Sequence, residues 1–197
     1  MRRILMRRWL LLVLLAGLLG CSAKSEPEDP FVGVDIRGAD FGRGFDLTDH
    51  HGQVRHLEDF RGKLVALFFG YTSCPDVCPT TMDDLAKALK LLGDRRSEVQ
   101  VLFITLDPER DTREKLASYL PGFDPGFLGL RGSPEQTLAT ASHFKVFYQK
   151  QSSGSKAGYL IDHSSGIYVF DKQGAIRLYL NYGQKPADIA HDLQLLM

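Results

Sequence analysis

Cys74 and Cys78 are separated by three residues in the stretch YTSCPDVCPTTM, residues 71–82, and are two of only three cysteines in a chain of 197 residues. Two thiols at this spacing can close a structural disulfide, exchange electrons with another disulfide, or grip a soft metal ion. On one helical turn, residues four apart hold their Cβ atoms about 5–6 Å from each other. A relaxed disulfide wants about 3.5–4.5 Å. The spacing therefore suits a pair that opens and closes better than a permanent staple.

Thiolates select Cu(I), zinc or iron–sulfur clusters. A closed structural zinc site takes about four protein ligands, and a cluster takes about four cysteines. Cys21, the third cysteine, lies far up the chain in a polar stretch. Copper(I), which needs two or three soft ligands, fits the count better, and a third ligand would be a histidine. His50, His51 and His56 fall on an expected hairpin, His143 ends an expected helix, and His191 lies on the closing one. His163, in YLIDHSSGIYVF, stands just before a hairpin strand and is the candidate; Asp162 beside it either orients the imidazole or is simply solvated.

The elements around these residues follow from pattern. KLVALFFGY, residues 63–71, is an unbroken apolar run, as in a strand covered on both faces. PTTMDDLAKALKLLGD places Leu85, Ala86, Leu89 and Leu92 at helical spacing, with Gly93 as the stop. VQVLFITLD supplies a second buried strand, giving a right-handed parallel βαβ unit. The cysteines would then sit between the strand ending near Tyr71 and a helix beginning near Pro79, beyond the carboxyl ends of the strands where reactive groups gather. Unpaired N–H groups at a helix N-terminus favour thiolate over thiol.

Elsewhere, FDLTDHHGQVRHL reads as an N-terminal hairpin. DTREKLASYLPG reads as a helix capped by Asp111 or Thr112 and stopped by Pro121 and Gly122. SPEQTLATASHF reads as a helix with Ser133 as cap and Pro134 at its first position. Residues 165–183 form a hairpin turning at Asp171 to Gly174, and KPADIAHDLQLL is a closing helix. The order defines an α/β, thioredoxin-like fold with an added N-terminal β-hairpin and an inserted helix, expected over residues 41–197.

Residues 1–20 hold Arg2, Arg3, Arg7 and Arg8 before an apolar run from Trp9 to Leu19, the layout of an export signal. The run is shorter than the roughly 20 apolar residues of a spanning helix. Gly20 and Cys21 follow, as in a lipoprotein signal in which Cys21 is acylated, and residues 21–40 read as the acylated terminus and a flexible tether. The domain is expected outside the cytoplasm, membrane-tethered and facing the periplasm or the cell exterior. Removing residues 1–20 takes four arginines and no acidic residue from a neutral chain with 24 basic and 24 acidic side chains, leaving a net charge of −4. No basic stripe is left to neutralise phosphates, which argues against nucleic acid.

FFGYTSCPDVCPTTM, TLDPERDTREKLASYL and YLIDHSSGIYVFDKQGAI together resemble the Sco/SenC family of copper proteins, over a span from about Phe45 to the C-terminus. The resemblance implies that Cys74, Cys78 and His163 bind Cu(I) or Cu(II). It also implies that the protein supports assembly of the copper A site of cytochrome c oxidase, with the oxidase subunit carrying that site as partner and another periplasmic copper chaperone as a possible donor. Some members of the family act as thiol-disulfide reductases, so Cys74 and Cys78 double as a candidate redox dithiol, and whether the chain is an enzyme stays open. A thiol peroxidase is a third option. Asp107, Arg110 and Asp111 match the second motif, either shaping a loop near the site or serving as a helix cap and surface charges. Two departures stand out: the link QKQSSGSKAG holds no acidic run, and the N-terminus reads as lipidated rather than membrane-spanning.

Overall fold

The structure, a computed structural model, describes residues 30–152 and 158–197. The export signal, the acylation of Cys21 and the tether up to Asp29 lie outside the described residues.

β4 (Leu64–Gly70) and β5 (Val99–Thr105) run parallel at the centre of an eight-stranded sheet, joined by helix α1 (Val77–Leu91). Every residue of β4 is buried. Leu64, Ala66 and Phe68 pack into one apolar layer, and Val65, Leu67 and Phe69 into the layer on the other face. That two-sided burial is why the strand is an uninterrupted apolar run rather than an alternating one. β6 (Leu128–Arg131) extends the parallel part beside β5. β9 (Ile167–Phe170) pairs antiparallel with the other side of β4, and β10 (Ile176–Leu180) pairs with β9.

α1 and the closing helix α4 (Pro186–Leu196) cover one face of the sheet, where Leu85 and Leu89 meet Ile189 and Leu193. Helix α2 (Arg113–Tyr119) also packs there through Leu116, while helix α3 (Pro134–His143) packs on the other face through Ala141. The caps fall where expected. Thr112 accepts from the Lys115 amide, and Ser133 and Gln136 form a reciprocal capping box with Pro134 at the first helical position. The N-terminal hairpin, β2 (Asp46–Asp49) and β3 (Val54–His56), attaches to the edge of the sheet by pairing β2 with β6.

Three features differ from the sequence expectation. Residues 31–40, assigned to the tether, belong to the compact unit that begins at Phe31, and β1 (Val34–Asp35) pairs with β10. The N–H groups of Val32 and Gly33 donate to the buried Asp192 carboxylate at 2.9 and 2.7 Å. That partner lies on α4, so local composition gives no hint of it. The short β6 escapes a periodicity reading. Finally, β7 (Tyr148–Ser152) and β8 (Tyr159–His163) form a separate two-stranded ribbon, with His163 as its last residue. No described helix is long and apolar enough to cross a membrane.

Candidate metal and redox site

The site is built at the carboxyl end of β4. Helix α1 starts at Val77, two residues earlier than expected, with Asp76 as N-cap. Cys78 therefore falls in its first turn, whereas Cys74 lies in the preceding loop and the two do not share a helical turn. The Asp76 side chain makes no cap bond; instead the Cys78 N–H donates to the Cys74 sulfur at 3.4 Å. The sulfur thus occupies the place of a capping oxygen, in the positive field of the helix N-terminus.

Cys78 is fully buried and Cys74 half-buried, and both are free thiols. Gly70 makes the burial of Cys78 possible. A Cβ there would stand 3.0 Å from the Cys78 sulfur, 2.7 Å from Phe68 and 3.0 Å from Phe103.

His163 meets this pair from the ribbon. Its Nε2 lies 3.4 Å from the Cys78 sulfur, across 85 positions of sequence. Its Nδ1 lies 2.8 Å from the Ser164 carbonyl oxygen. A carbonyl only accepts, so Nδ1 carries the proton and the Nε2 lone pair faces sulfur. The Ser164 backbone therefore fixes the imidazole, and Asp162, proposed for that task from sequence, is exposed. The imidazole packs edge-on against Phe68 and Tyr71, with ring centroids 6.0 Å away in each case.

The two thiols are electrostatically unlike. Hydrogen bonding from Cys78 pulls the Cys74 pKa down to about 3 against the opposing effect of burial, with the N–H groups of Asp76 and Cys78 adding to the fall. Hydrogen bonding to Cys74, followed by burial, pushes the Cys78 thiol far up. One half-exposed thiolate therefore sits beside one buried thiol. A cleft of about 290 Å³ gives solvent a path to Cys74 and His163 between Pro75, Val77 and Leu160. Two other clefts, of about 350 and 400 Å³, lie away from both cysteines.

Asp107, Arg110 and Asp111 support this floor without joining it. Asp107 and Asp111 are fully buried, so they are not surface charges, and the cap of α2 is Thr112. Asp111 accepts from the Thr72 amide at 3.0 Å, the Thr72 hydroxyl at 2.5 Å and the Thr105 hydroxyl at 2.6 Å, tying the cysteine loop to the end of β5. Lys115 donates to Ser73 at 3.0 Å. Sequence reasoning passed over Tyr71, whose only local sign was an aromatic with a polar tip closing an apolar strand. It also passed over Gly70, marked by its place just before the cysteine loop. Among the described residues, no group of three or more His, Cys, Asp or Glu side chains stands as a ready-formed metal centre. Cys78 and His163 meet, and Cys74 lies at the helix mouth beside them.

The chain thus presents a helix-mouth dithiol in a thioredoxin-like sheet, faced by a histidine brought in on a two-stranded ribbon. The chain belongs to the SCO1/SenC family, whose sequence profile matches residues 34–197. BsSco, a solved structure 22% identical with a TM-score of 0.60 over 86% of this chain, is a member of the Sco family of cytochrome c oxidase assembly proteins. The mitochondrial SCO2 homologue of Bos taurus is 38% identical over 165 residues, which are 81% of this chain and 61% of that protein. Among solved structures, Bradyrhizobium japonicum ScoI with copper bound is 34% identical, with a TM-score of 0.73 over 81% of this chain and all of that one. Apo Sco1 of Thermus thermophilus is 38% identical, with a TM-score of 0.76 over 87% of this chain and all of that one.

Proposed function

We propose that this protein is a copper metallochaperone in which Cys74, Cys78 and His163 hold the ion as cargo for the copper A site of cytochrome c oxidase. The observation that carries the reading is the 3.4 Å approach of His163 Nε2 to the Cys78 sulfur, with the nitrogen lone pair turned inward. For zinc, sulfur at about 2.3 Å and imidazole nitrogen at about 2.0–2.1 Å stand about 3.5 Å apart in a tetrahedral shell. Cys78 and His163 are thus spaced as two ligands of one first-row ion are, and the Cys74 thiolate supplies a soft third donor. Delivery proceeds by ligand exchange in a transient complex with the oxidase subunit that carries the site. Acylated Cys21 tethers the domain outside the cytoplasm, and a second copper chaperone serves as donor.

The experiment is a copper titration of the reduced and oxidised protein beside His163→Ala. One ion per reduced chain, lost on oxidation and weakened in His163→Ala, is expected. Binding that survives replacement of both cysteines sinks the proposal.

The inequality of the thiols favours a second reading, reduction of the oxidase's own cysteines. The Cys74 thiolate attacks a partner disulfide, forming a mixed disulfide and releasing one partner thiolate. Cys78 then gives up its proton and attacks the Cys74 sulfur, releasing the second. Two electrons pass to the partner, and Cys74 and Cys78 end as a disulfide. In this reading Cys78→Ala traps the mixed disulfide, and His163→Ala leaves the reductase rate largely intact.

A further inference from the structure

The placement of His163 depends on how the ribbon of β7 and β8 is fastened, because that ribbon pairs with no strand of the main sheet. Its polar fastenings converge on the turn after β5 and on Tyr71. The Arg110 guanidinium lies over the Tyr159 ring, 3.7 Å from its centroid, and 5.7 Å from that of Tyr71. Its Nη1 donates to the Tyr159 carbonyl at 2.9 Å, and its Nε pairs with buried Asp107. The Tyr159 hydroxyl donates to the same carboxylate at 2.7 Å. Lys150 sits 4.7 Å from the Tyr159 ring centroid and pairs with Glu109 at 2.8 Å. Two residues along, the Ile161 N–H donates to the Tyr71 hydroxyl at 3.2 Å. Two further on is His163. Successive odd residues of β8 share one face of the strand, so fixing Tyr159 fixes the register of Ile161 and His163, and a one-residue slip would turn the imidazole away from the sulfur.

We infer that Arg110 and Tyr159 form a clamp that positions His163, setting the separation of Nε2 from the Cys78 sulfur and through it the hold on copper. Neither residue is a metal ligand. Arginine is needed because its planar fork bonds a carbonyl and a carboxylate while its face stacks on a ring, which a lysine ammonium cannot do at once. The consequence for copper rests on the proposed function, but the positioning itself needs no metal.

The test compares the full chain, reduced, with Arg110→Lys and Tyr159→Phe. Without metal, Arg110→Lys is expected to speed amide exchange at Ile161 roughly tenfold or more, the scale of a lost charge-assisted hydrogen bond, while amides of β5 keep their protection. Nuclear Overhauser contacts from the His163 ring to Phe68 and Tyr71 should weaken with it. Tyr159→Phe keeps the stacked ring and should fall between the two. With Cu(I), Arg110→Lys should bind about tenfold more weakly, and that loss should vanish in a His163→Ala background, as expected for groups acting through one residue. Unchanged Ile161 exchange and His163 contacts in Arg110→Lys would overturn the clamp, as would an affinity loss of the same size persisting without His163. A wild type that binds no copper would overturn the proposed function alone, and the metal-free measurements would still decide the clamp.

Discussion

Gly70→Ala tests whether the geometry of the buried thiol is set by the strand beneath it. The added methyl would lie 2.7 Å from Phe68, 3.0 Å from Phe103 and 3.0 Å from the Cys78 sulfur. Ordinary carbon contacts are about 3.5–4.0 Å, so each neighbour must yield by about half an ångström or more. Both phenylalanines are fully buried and have nowhere to swing. Overpacking of this kind costs about 1–3 kcal/mol. Replacing glycine where the backbone suits an L-residue returns about 0.4–1 kcal/mol by stiffening the unfolded chain. The net loss is about 1–2 kcal/mol, a fall in Tm of roughly 2–8 °C for a domain of this size. The sulfur matters more than the melting point, because metal ligation tolerates only about 0.2 Å of error. A displacement twice that should weaken Cu(I) binding at least tenfold, measured by competition with a chromophoric chelator. Gly122→Ala is the control, since a Cβ there meets nothing within 4 Å. A Gly70→Ala protein that melts within about a degree of wild type and binds copper equally well would refute the argument that the close approach at Gly70 sets the sulfur.

Cys74 should alkylate with iodoacetamide at a rate nearly independent of pH from 8 down to 5, because its pKa is drawn down to about 3; a tenfold fall per pH unit across that range would contradict the assignment. The sign for stability follows: with the folded pKa below that of a free thiol, about 8.5, the contribution is complete above that value and is lost as pH falls towards 3. In Cys78→Ala, which removes the first cause of the shift, the alkylation rate should regain its pH dependence. Asp111→Ala leaves the Thr72 amide and two hydroxyls without their buried acceptor and should cost about 3–5 kcal/mol in urea unfolding, with Asp111→Asn recovering much of it; a cost below 1 kcal/mol for the alanine variant would show that the loop does not depend on this carboxylate. Ser133→Ala, at a cap distant in sequence from the cysteine loop, should lose about 1 kcal/mol of stability while leaving copper affinity unchanged.

What could be read without coordinates was whatever the chain encodes locally. The apolar run of β4 announces burial on both faces, Ser133 with Pro134 announces a helix start, and Asp171 to Gly174 announces a hairpin, because each signal lies within a few residues of what it specifies. The partners that finish the site are not local. Asp111 reaches back 39 residues to Thr72, and Arg110 reaches forward 49 to Tyr159. In the sequence those residues are an acidic and a basic side chain in a polar turn, which would look the same on a solvated surface. The exchange of a capping oxygen for the Cys74 sulfur was hidden for a different reason. Asp76 is a natural cap by type, and only the fold decides that its side chain does not take the Cys78 amide.

As proposed, copper carriage and thiol reduction would draw on the same two sulfurs and could not occupy one molecule together. Closing the Cys74–Cys78 disulfide removes both sulfur donors of the proposed site, leaving His163 alone to face an ion, so on that proposal a chain that has just reduced a partner is unable to carry copper until it is itself reduced. An ion bound as proposed would in turn tie up Cys74, the more exposed sulfur of the pair and the one placed to attack. The 3.4 Å contact from the Cys78 amide to the Cys74 sulfur makes the choice sensitive to local geometry, since the same lone pairs that accept from the helix are those that would bond to metal or to sulfur. If both activities belong to this protein, they must alternate: copper-loaded protein should fail to reduce a model disulfide, and adding a strong Cu(I) chelator should restore the rate. Reduction at full speed with copper still bound would mean that the two functions do not share Cys74, and the single-site account would fall.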